Sequence, residues 1–171
     1  EIELAEKNEI PRLVDLRDIK GDFHAHSKWS DGNNTIEEMA QAAKDAGYKY
    51  IAITDHSKGL GIARGLTEER LKEQIREIRS LNQKLKGFRI LSGMEVDIRA
   101  DGSIDMPDDM LAELDCVVGA IHSSFSQSEE RITKRIIKAI EHPHIDIIAH
   151  PTSRLVGERE ATAVDMEAIF K

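Results

Sequence analysis

The sequence predicts an α/β fold in which parallel strands alternate with helices around one hydrophobic core. Apolar, β-branched runs recur about five times along the 171 residues, and helical patterns lie between them. This alternation is typical of a parallel sheet and not of a helical bundle or a β-sandwich. The length fits one domain with an ordinary core. The predicted strands are 19–23, 50–54, 88–98, 115–121 and 145–149.

Capping residues and helix breakers mark where the helices between these strands begin and end. Thr35, with Glu38 three residues later, forms a capping box, and Gly47 marks the end of that helix. A second helix is predicted over 67–87, and a third over 128–142, before a proline. The aliphatic stripes of these helices are interpreted as core.

Both ends of the sequence resemble cut ends. The chain starts at Glu1 instead of a methionine, and Lys171 directly follows an apolar run with helical spacing. We therefore expect a piece of a longer protein. Residues 1–18 have mixed charge and weak periodicity, and are interpreted as a leader from an upstream domain, with the domain itself over 19–171.

Composition excludes several classes of protein. No apolar run approaches the roughly 20 residues of a membrane-spanning helix, and no signal segment opens the chain, so we expect no membrane partner and a cytoplasmic setting. The single cysteine, Cys116, lies in an apolar stretch and is interpreted as a small buried side chain. The formal net charge of -8 argues against a broad basic surface for nucleic-acid phosphates. Any contact with a polynucleotide would then depend on metal or on a neighbouring domain.

Metal-ligand residue types occur at the end of every predicted strand. In parallel α/β folds the carboxyl ends of the strands converge at one face, so these side chains are expected to meet. Imidazole with carboxylate suits zinc, manganese or iron, whereas calcium and magnesium sites are mostly oxygen. The pattern predicts a polynuclear transition-metal site. The residues are His24 and His26, Asp55 and His56, Glu95, His122, and His150.

The number of such histidines is the main argument for metal. One histidine alone is more often structural, but five of the seven lie at strand ends, which favours metal binding for the set. His24 and His26 should lie on the same side of an extended segment, since side chains alternate with period two. Glu95 lies in an apolar strand, where an unpaired carboxylate would be costly. A metal ion would compensate the negative charge of Glu95, and the alternative is an ion pair with Arg89 or Arg99.

Four further charged residues have two interpretations each. Asp31 precedes a glycine in a turn, so ordinary turn chemistry and metal ligation are equally good explanations. Asp55 and Asp97 adjoin ligand positions and either orient an imidazole or serve as strand-end caps or surface ion pairs. Arg154, just past His150, either receives a substrate phosphate or is a surface charge.

Several separated motifs carry a resemblance to a known family. They resemble the polymerase and histidinol phosphatase (PHP) domain over roughly residues 18–165, most closely the version at the C-terminal end of bacterial family X DNA polymerases. The leader segment Ile10-Pro11-Arg12-Leu13-Val14 and the segment His150-Pro151-Thr152-Ser153-Arg154-Leu155 point to that version. The shared motifs are Gly21-Asp22-Phe23-His24-Ala25-His26-Ser27, Trp29-Ser30-Asp31-Gly32, Ile53-Thr54-Asp55-His56, Glu95-Val96-Asp97-Ile98, His122-Ser123 and His150-Pro151-Thr152.

The resemblance implies a distorted, seven-stranded parallel βα barrel with up to three metal ions. It makes Asp31 a ligand and places Glu95, His26 and His122 at the reacting centre. The family also has an Asp-x-His pair on its last strand, and none follows His150, so we expect a barrel that is incomplete at its C-terminal end. An open barrel exposes a sheet edge, which predicts self-association or marginal stability. The implied ligand sets are His24 with His26, Glu95 as a bridge to His122 and His150, and Asp31 with His56.

A cluster of dications activates a bridging water and stabilises charge on phosphoryl oxygens, so the predicted chemistry is phosphoester hydrolysis. The resemblance implies a manganese- or zinc-dependent 3′-5′ exonuclease or 3′-end phosphatase that acts on DNA 3′ ends beside an upstream polymerase domain. Two alternatives stay open. One is a small-molecule phosphatase of the histidinol-phosphate type, and the other is a metal-binding module with a structural role only.

Overall fold

Five parallel strands lie side by side in the order in which they occur along the chain. The structure is a computed structural model, and it describes residues 2–171. Each strand is hydrogen-bonded to the next one in sequence, in the order β1-β2-β3-β4-β5. The strands are β1 Gly21–Ala25, β2 Tyr50–Ile53, β3 Arg89–Asp97, β4 Cys116–Ala120 and β5 Ile147–Ile148.

This strand order distinguishes a barrel from an open doubly wound sheet. A doubly wound sheet reverses its strand order at a switch point, whereas a βα barrel adds each strand to the same side of the previous one. Within residues 2–171 the five strands form a curled half-barrel whose outer strands, β1 and β5, do not pair with each other. The predicted fold class, an incomplete parallel βα barrel, is confirmed.

The three long helices agree with the predictions from their caps. Thr35 accepts a hydrogen bond from Glu38 N–H, and the Glu38 carboxylate accepts one from Thr35 N–H, which closes the capping box. Thr67 caps the next helix by accepting one hydrogen bond from Arg70 N–H, without a reciprocal bond. The helices are α1 Ile2–Glu6, α2 Ile36–Asp45, α3 Glu68–Lys84, α4 Asp108–Leu111, α5 Glu129–Ile140 and α6 Met166–Ile169.

Some boundaries differ from the predictions. The first strand begins at Gly21 instead of residue 19, because Ile19 ends the preceding 3-10 turn. Within the strand, a bulge between Asp22 and Ala25 shifts its register against β2. The last strand is reduced to two residues, Ile147–Ile148. The predicted leader contains α1 and a 3-10 turn over Leu16–Asp18, neither with a buried residue, and Glu1 lies outside the described residues.

The main core lies between the sheet and the helices, and alternate residues of β3 show which face is which. Ile90, Met94 and Val96 are fully buried against the helices. Glu95 has the opposite orientation and lies on the inner face of the half-barrel. That face has a small apolar cluster of its own, which includes Cys116, as predicted for this residue. Burial raises the pKa of the Cys116 thiol to about 11.

None of the helices in the described residues is both long enough and apolar enough to cross a membrane.

Candidate metal centre

Five histidines surround the carboxylate of Glu95 at the carboxyl ends of the strands. Each of them has a ring nitrogen within 3.4 Å of a Glu95 oxygen. Their rings are neighbours in a closed circuit, with centroid separations from 4.4 to 5.8 Å. The structure therefore brings together every histidine that the strand-end pattern singled out. They are His24, His26, His56, His122 and His150.

Both oxygens of Glu95 are used, and they divide the histidines into two sets. Oε1 lies 2.9 Å from His150 Nε2 and 3.2 Å from His122 Nε2. Oε2 lies 3.3 Å from His24 Nε2, 3.4 Å from His26 Nε2 and 3.0 Å from His56 Nδ1.

No arginine or lysine of residues 2–171 forms an ion pair with Glu95. The residue is 1% exposed, and histidines are its sole charged partners in this range. Arg89 instead pairs with Asp115, and Arg99 donates a hydrogen bond to the carbonyl of Ile104. The ion-pair alternative from the sequence is therefore wrong. A buried carboxylate surrounded by imidazoles is compensated either by protonated imidazoles or by a bound metal ion.

Asp31 lies on the side of the cluster that includes His26 and His56. Asp31 Oδ1 is 3.7 Å from His26 Nδ1, and Asp31 Oδ2 is 3.6 Å from His56 Nε2. Both imidazoles thus have one nitrogen toward Glu95 and the other toward Asp31. The second carboxylate extends the cluster beyond Glu95 and favours metal ligation over a simple turn role for Asp31.

The donor atoms fit a metal ion at two places. One group is His24, Glu95 and His150, and the other is His26, His56 and Glu95; in each group the donor atoms lie within 4.8 Å of one another. Three buried imidazole nitrogens, the Nδ1 atoms of His26, His56 and His122, form no hydrogen bond of good geometry, although carboxylate oxygens lie 3.0 Å from His56 Nδ1 and 3.5 Å from His122 Nδ1. Unpaired buried nitrogens are costly unless a metal ion or a proton donor satisfies them. The resemblance instead pairs His24 with His26 and His122 with His150, and that division among three ions, which differs from these two groups, stays a prediction.

Burial and neighbouring charge move the pKa values in this cluster in different directions. Burial alone would raise the pKa of Glu95, but hydrogen bonds from the imidazoles, His122 first, hold it well below its ordinary value. Burial would lower the pKa of His122, and its contacts with Asp97 and Glu95 outweigh this and raise it to about 9. The hydrogen bond to Glu95 raises the pKa of His24, whereas burial lowers the pKa of His26.

Asp97 and Asp55, which the sequence could not assign, have separate roles. Asp97 Oδ1 lies 3.5 Å from His122 Nδ1 and accepts a hydrogen bond from His122 N–H, so it orients this imidazole with Nε2 toward Glu95. Asp55 contacts no imidazole and instead accepts hydrogen bonds from the segment that follows His26.

The last two sequence candidates lie at the rim. His150 has the most exposed side chain of the five histidines, at 44%, and its backbone has a φ of 28°, in the left-handed region that non-glycine residues seldom adopt. Such strain is typical of functional positions. Arg154 is exposed and has no side-chain hydrogen bond or ion pair within the described range, so its phosphate role stays a prediction.

Two supporting residues escaped the sequence interpretation. Gln74 lies on the apolar stripe of α3, between Leu71 and Ile75, and is 1% exposed. A polar residue on a buried stripe was the available signal. Asp105 is 2% exposed and accepts hydrogen bonds from Ser57 Oγ, Gly59 N–H and Asp97 N–H, and no local pattern marked it.

A parallel half-barrel with a histidine-carboxylate cluster at its strand ends defines a class of α/β proteins with a candidate metal centre. A model of the PHP domain matches residues 22–162. The chain belongs to the PHP family.

Relatives and a solved structure agree with this assignment. The chain is 52% identical over 159 residues to the DNA polymerase/3′-5′ exonuclease PolX of Bacillus subtilis (strain 168), and it covers 28% of that protein and 93% of its own length. It is 37% identical over 136 residues to a probable phosphatase of Thermoanaerobacter sp. (strain X514), with 76% of this chain and 53% of the relative covered.

A solved structure shares the fold at low sequence identity. It is the histidinol phosphate phosphatase of Lactococcus lactis subsp. lactis Il1403, complexed with zinc, L-histidinol and phosphate. The TM-score is 0.51 at 15% identity, over 78% of this chain and 58% of that one. The chain thus spans between about a quarter and three fifths of the proteins it matches.

Proposed function

We propose that this chain is a metal-dependent phosphoesterase domain that removes nucleotides or phosphate from DNA 3′ ends as part of a family X DNA polymerase. The observation that carries the metal dependence is the convergence of five imidazoles on the buried Glu95 carboxylate. The 52% identity to PolX supports DNA as the substrate. Manganese, zinc or iron suits this donor set.

The position of each candidate ligand indicates which metal ion it would hold. Glu95 belongs to both donor groups and would bridge two ions, with His24 and His150 on one side and His26 and His56 on the other. When bound, such ions lower the pKa of a coordinated water and stabilise charge on phosphoryl oxygens. Asp97 keeps His122 Nε2 directed at the centre.

The exposed side of the cluster indicates how a substrate would approach. His24 and His150 are 31% and 44% exposed, whereas His56 is 10% exposed. Asp31, at 49%, is also exposed, so a phosphoester would reach the centre over His24, His150 and Asp31. Hydrolysis adds a water oxygen to phosphorus and breaks the bond to the ester oxygen, which takes up a proton. Arg154, four residues beyond His150 in sequence, is the residue we propose for contact with a substrate phosphate.

A second candidate is a phosphatase for small phosphomonoesters. The 37% identity to a probable phosphatase and the fold shared with a histidinol phosphate phosphatase support it. The net charge of -8 also argues against extensive contact between this domain alone and a polynucleotide.

A substrate panel separates these functions. We would incubate the chain and a Glu95→Gln variant with Mn²⁺ and three substrates: a 5′-labelled DNA duplex, the same duplex with a 3′ phosphate, and histidinol phosphate. Glu73→Gln, an exposed position on α3, is the matched control. We expect shortening of the DNA or loss of the 3′ phosphate with wild type and Glu73→Gln, and no product with Glu95→Gln.

The other outcomes contradict the proposal in distinct ways. Hydrolysis of histidinol phosphate alone would favour the second candidate. Bound Mn²⁺ without any hydrolysis would indicate a structural module. Activity that persists in Glu95→Gln would contradict the assignment of the centre.

A further inference from the structure

Asp55 is a fully buried carboxyl group that lies outside the candidate metal centre. It is 0% exposed and immediately precedes the candidate ligand His56. Its Oδ1 accepts hydrogen bonds from Ser27 N–H at 2.8 Å, Ser30 N–H at 3.2 Å and Ser30 Oγ at 2.5 Å. Its Oδ2 accepts from Ser27 Oγ at 2.5 Å and Gln74 Nε2 at 2.6 Å. Four of these five donors belong to one short segment.

That segment, residues 27–32, connects two candidate ligands, and we call it the ligand loop. His26 precedes it and Asp31 lies within it. Two serines in the loop, Ser27 and Ser30, are 0% exposed, so their hydroxyls depend on Asp55 for a partner instead of water. Ser30 Oγ, which donates its proton to Asp55, also lies 3.4 Å from Asp31 Oδ1, so the side chain of Ser30 lies between Asp55 and the candidate ligand.

Other contacts fix the rest of the loop backbone. Arg64 donates to the carbonyl of Ser30, and Arg70 donates to the carbonyl of Trp29. Gly32 N–H donates to the carbonyl of Ser27 at 2.9 Å, which closes the turn. The backbone polar groups of the loop are therefore largely satisfied within the protein, and Asp55 supplies the acceptor at its centre.

We propose that Asp55 is a positioning residue for three candidate ligands, His26, Asp31 and His56. The side chain of Asp31 is 49% exposed, so the loop backbone, and not packing, determines where its carboxylate lies. Asp55 adjoins His56 in sequence and binds the ligand loop, which follows His26 and contains Asp31, so it fixes all three ligands together. The Asp55 carboxylate forms no hydrogen bond with the group His24, Glu95 and His150. Glu95 N–H donates to the backbone carbonyl of Asp55 at 3.1 Å, a contact that a change of the Asp55 side chain leaves in place. This inference rests on the proposed metal centre.

Two substitutions distinguish positioning by hydrogen bonds from an effect of charge. Asp55→Ala removes all five hydrogen bonds. Asp55→Asn keeps an oxygen for three donors, and its amide donates to the Ser27 hydroxyl and to a flipped Gln74 amide, both of which also accept. We expect the alanine variant to lose metal affinity and the asparagine variant to retain most of it.

The test is the number of Mn²⁺ ions bound per chain and their dissociation constants, from equilibrium dialysis with elemental analysis. Asp55→Ala should bind one ion roughly 10- to 100-fold more weakly than wild type, the range found when a group that supports a ligand is lost. The other ions should be unaffected. Ser30→Ala, which removes one of the five hydrogen bonds, is the milder variant if Asp55→Ala does not fold, and it should weaken the same ion.

Asp115→Ala is the matched control for general destabilisation. Asp115 also accepts hydrogen bonds from a serine N–H and hydroxyl, both at 2.9 Å, but it precedes β4, at the opposite end of the strand from the cluster. This variant should lose thermal stability and keep its Mn²⁺ affinities.

Four results would overturn the inference: unchanged Mn²⁺ binding in Asp55→Ala, uniform weakening of all ions, a loss in Asp55→Asn as large as in Asp55→Ala, or the same loss in Asp115→Ala. Failure of wild type to bind Mn²⁺ would instead contradict the proposed metal centre itself.

Discussion

Replacement of Glu95 by glutamine should abolish most of the stabilisation that metal gives to the fold. Glu95 is the residue common to both donor groups, so the loss of its charge weakens both at once. A ligand present at 100 times its dissociation constant stabilises the native state by about 2.7 kcal/mol per site. Two sites give about 5 kcal/mol, which corresponds to a rise in Tm of roughly 10–20 °C for a domain of this size.

The assay is thermal unfolding of wild type and Glu95→Gln, each with EDTA and with Mn²⁺ at 100 times the wild-type dissociation constants. We expect the full rise in wild type and less than about a quarter of it in the variant. Glu73→Gln removes the same charge from an exposed position and should show the full rise. An equal rise in wild type and Glu95→Gln would refute the central role of Glu95.

Two further predictions concern the turn beside His26 and the amino ends of the strands. Gly32→Ala should weaken Mn²⁺ binding and destabilise the fold by about 1–3 kcal/mol, because its Cβ would lie 2.1 Å from the backbone oxygen of His26. Gly61→Ala is the control, because a Cβ at this position meets nothing within 4 Å. Equal Mn²⁺ affinities of Gly32→Ala and Gly61→Ala would contradict the argument. Burial alone would raise the pKa of Asp115, but hydrogen bonds from Ser92 and the charge of Arg89 hold it below its ordinary value. The contribution of the charged Asp115 to stability is therefore present above about pH 4 and lost as the pH falls further. In urea unfolding, the free energy of unfolding of wild type should exceed that of Asp115→Asn at pH 7, and this difference should become smaller toward pH 3. A difference in the free energy of unfolding that does not change with pH would refute this role of the Asp115 charge.

The candidate ligands could be found from the sequence because they follow a geometric rule. Side chains at the carboxyl ends of parallel strands converge, so His122 and Glu95 could be placed together although 27 positions separate them in the numbering. Period-two alternation likewise placed His24 and His26 on one side, and both contact Glu95 Oε2. These inferences needed no knowledge of loop conformation.

The supporting contacts could not be found in the same way. The role of Asp55 depends on the path of residues 27–32, and loop conformation follows no simple periodicity. The bulge in β1 is also a tertiary effect, since it appears only when β1 pairs with β2. Asp105 lies in a segment without a repeat or cap pattern, and its contact with Ser57 joins residues 48 positions apart in the chain.

These differences indicate that the centre has two parts with separate physical support. Glu95, His122 and His150 come from or directly follow the adjacent strands β3, β4 and β5, whose ladders fix their spacing. Asp31 is fixed by a loop that depends on buried hydrogen bonds. Strand ladders tolerate a local substitution better than a single loop, because many hydrogen bonds along the strands hold the backbone in place. Substitutions around residues 27–32 should therefore impair one donor group selectively, whereas substitutions that disturb β3 impair both groups together, since Glu95 belongs to each.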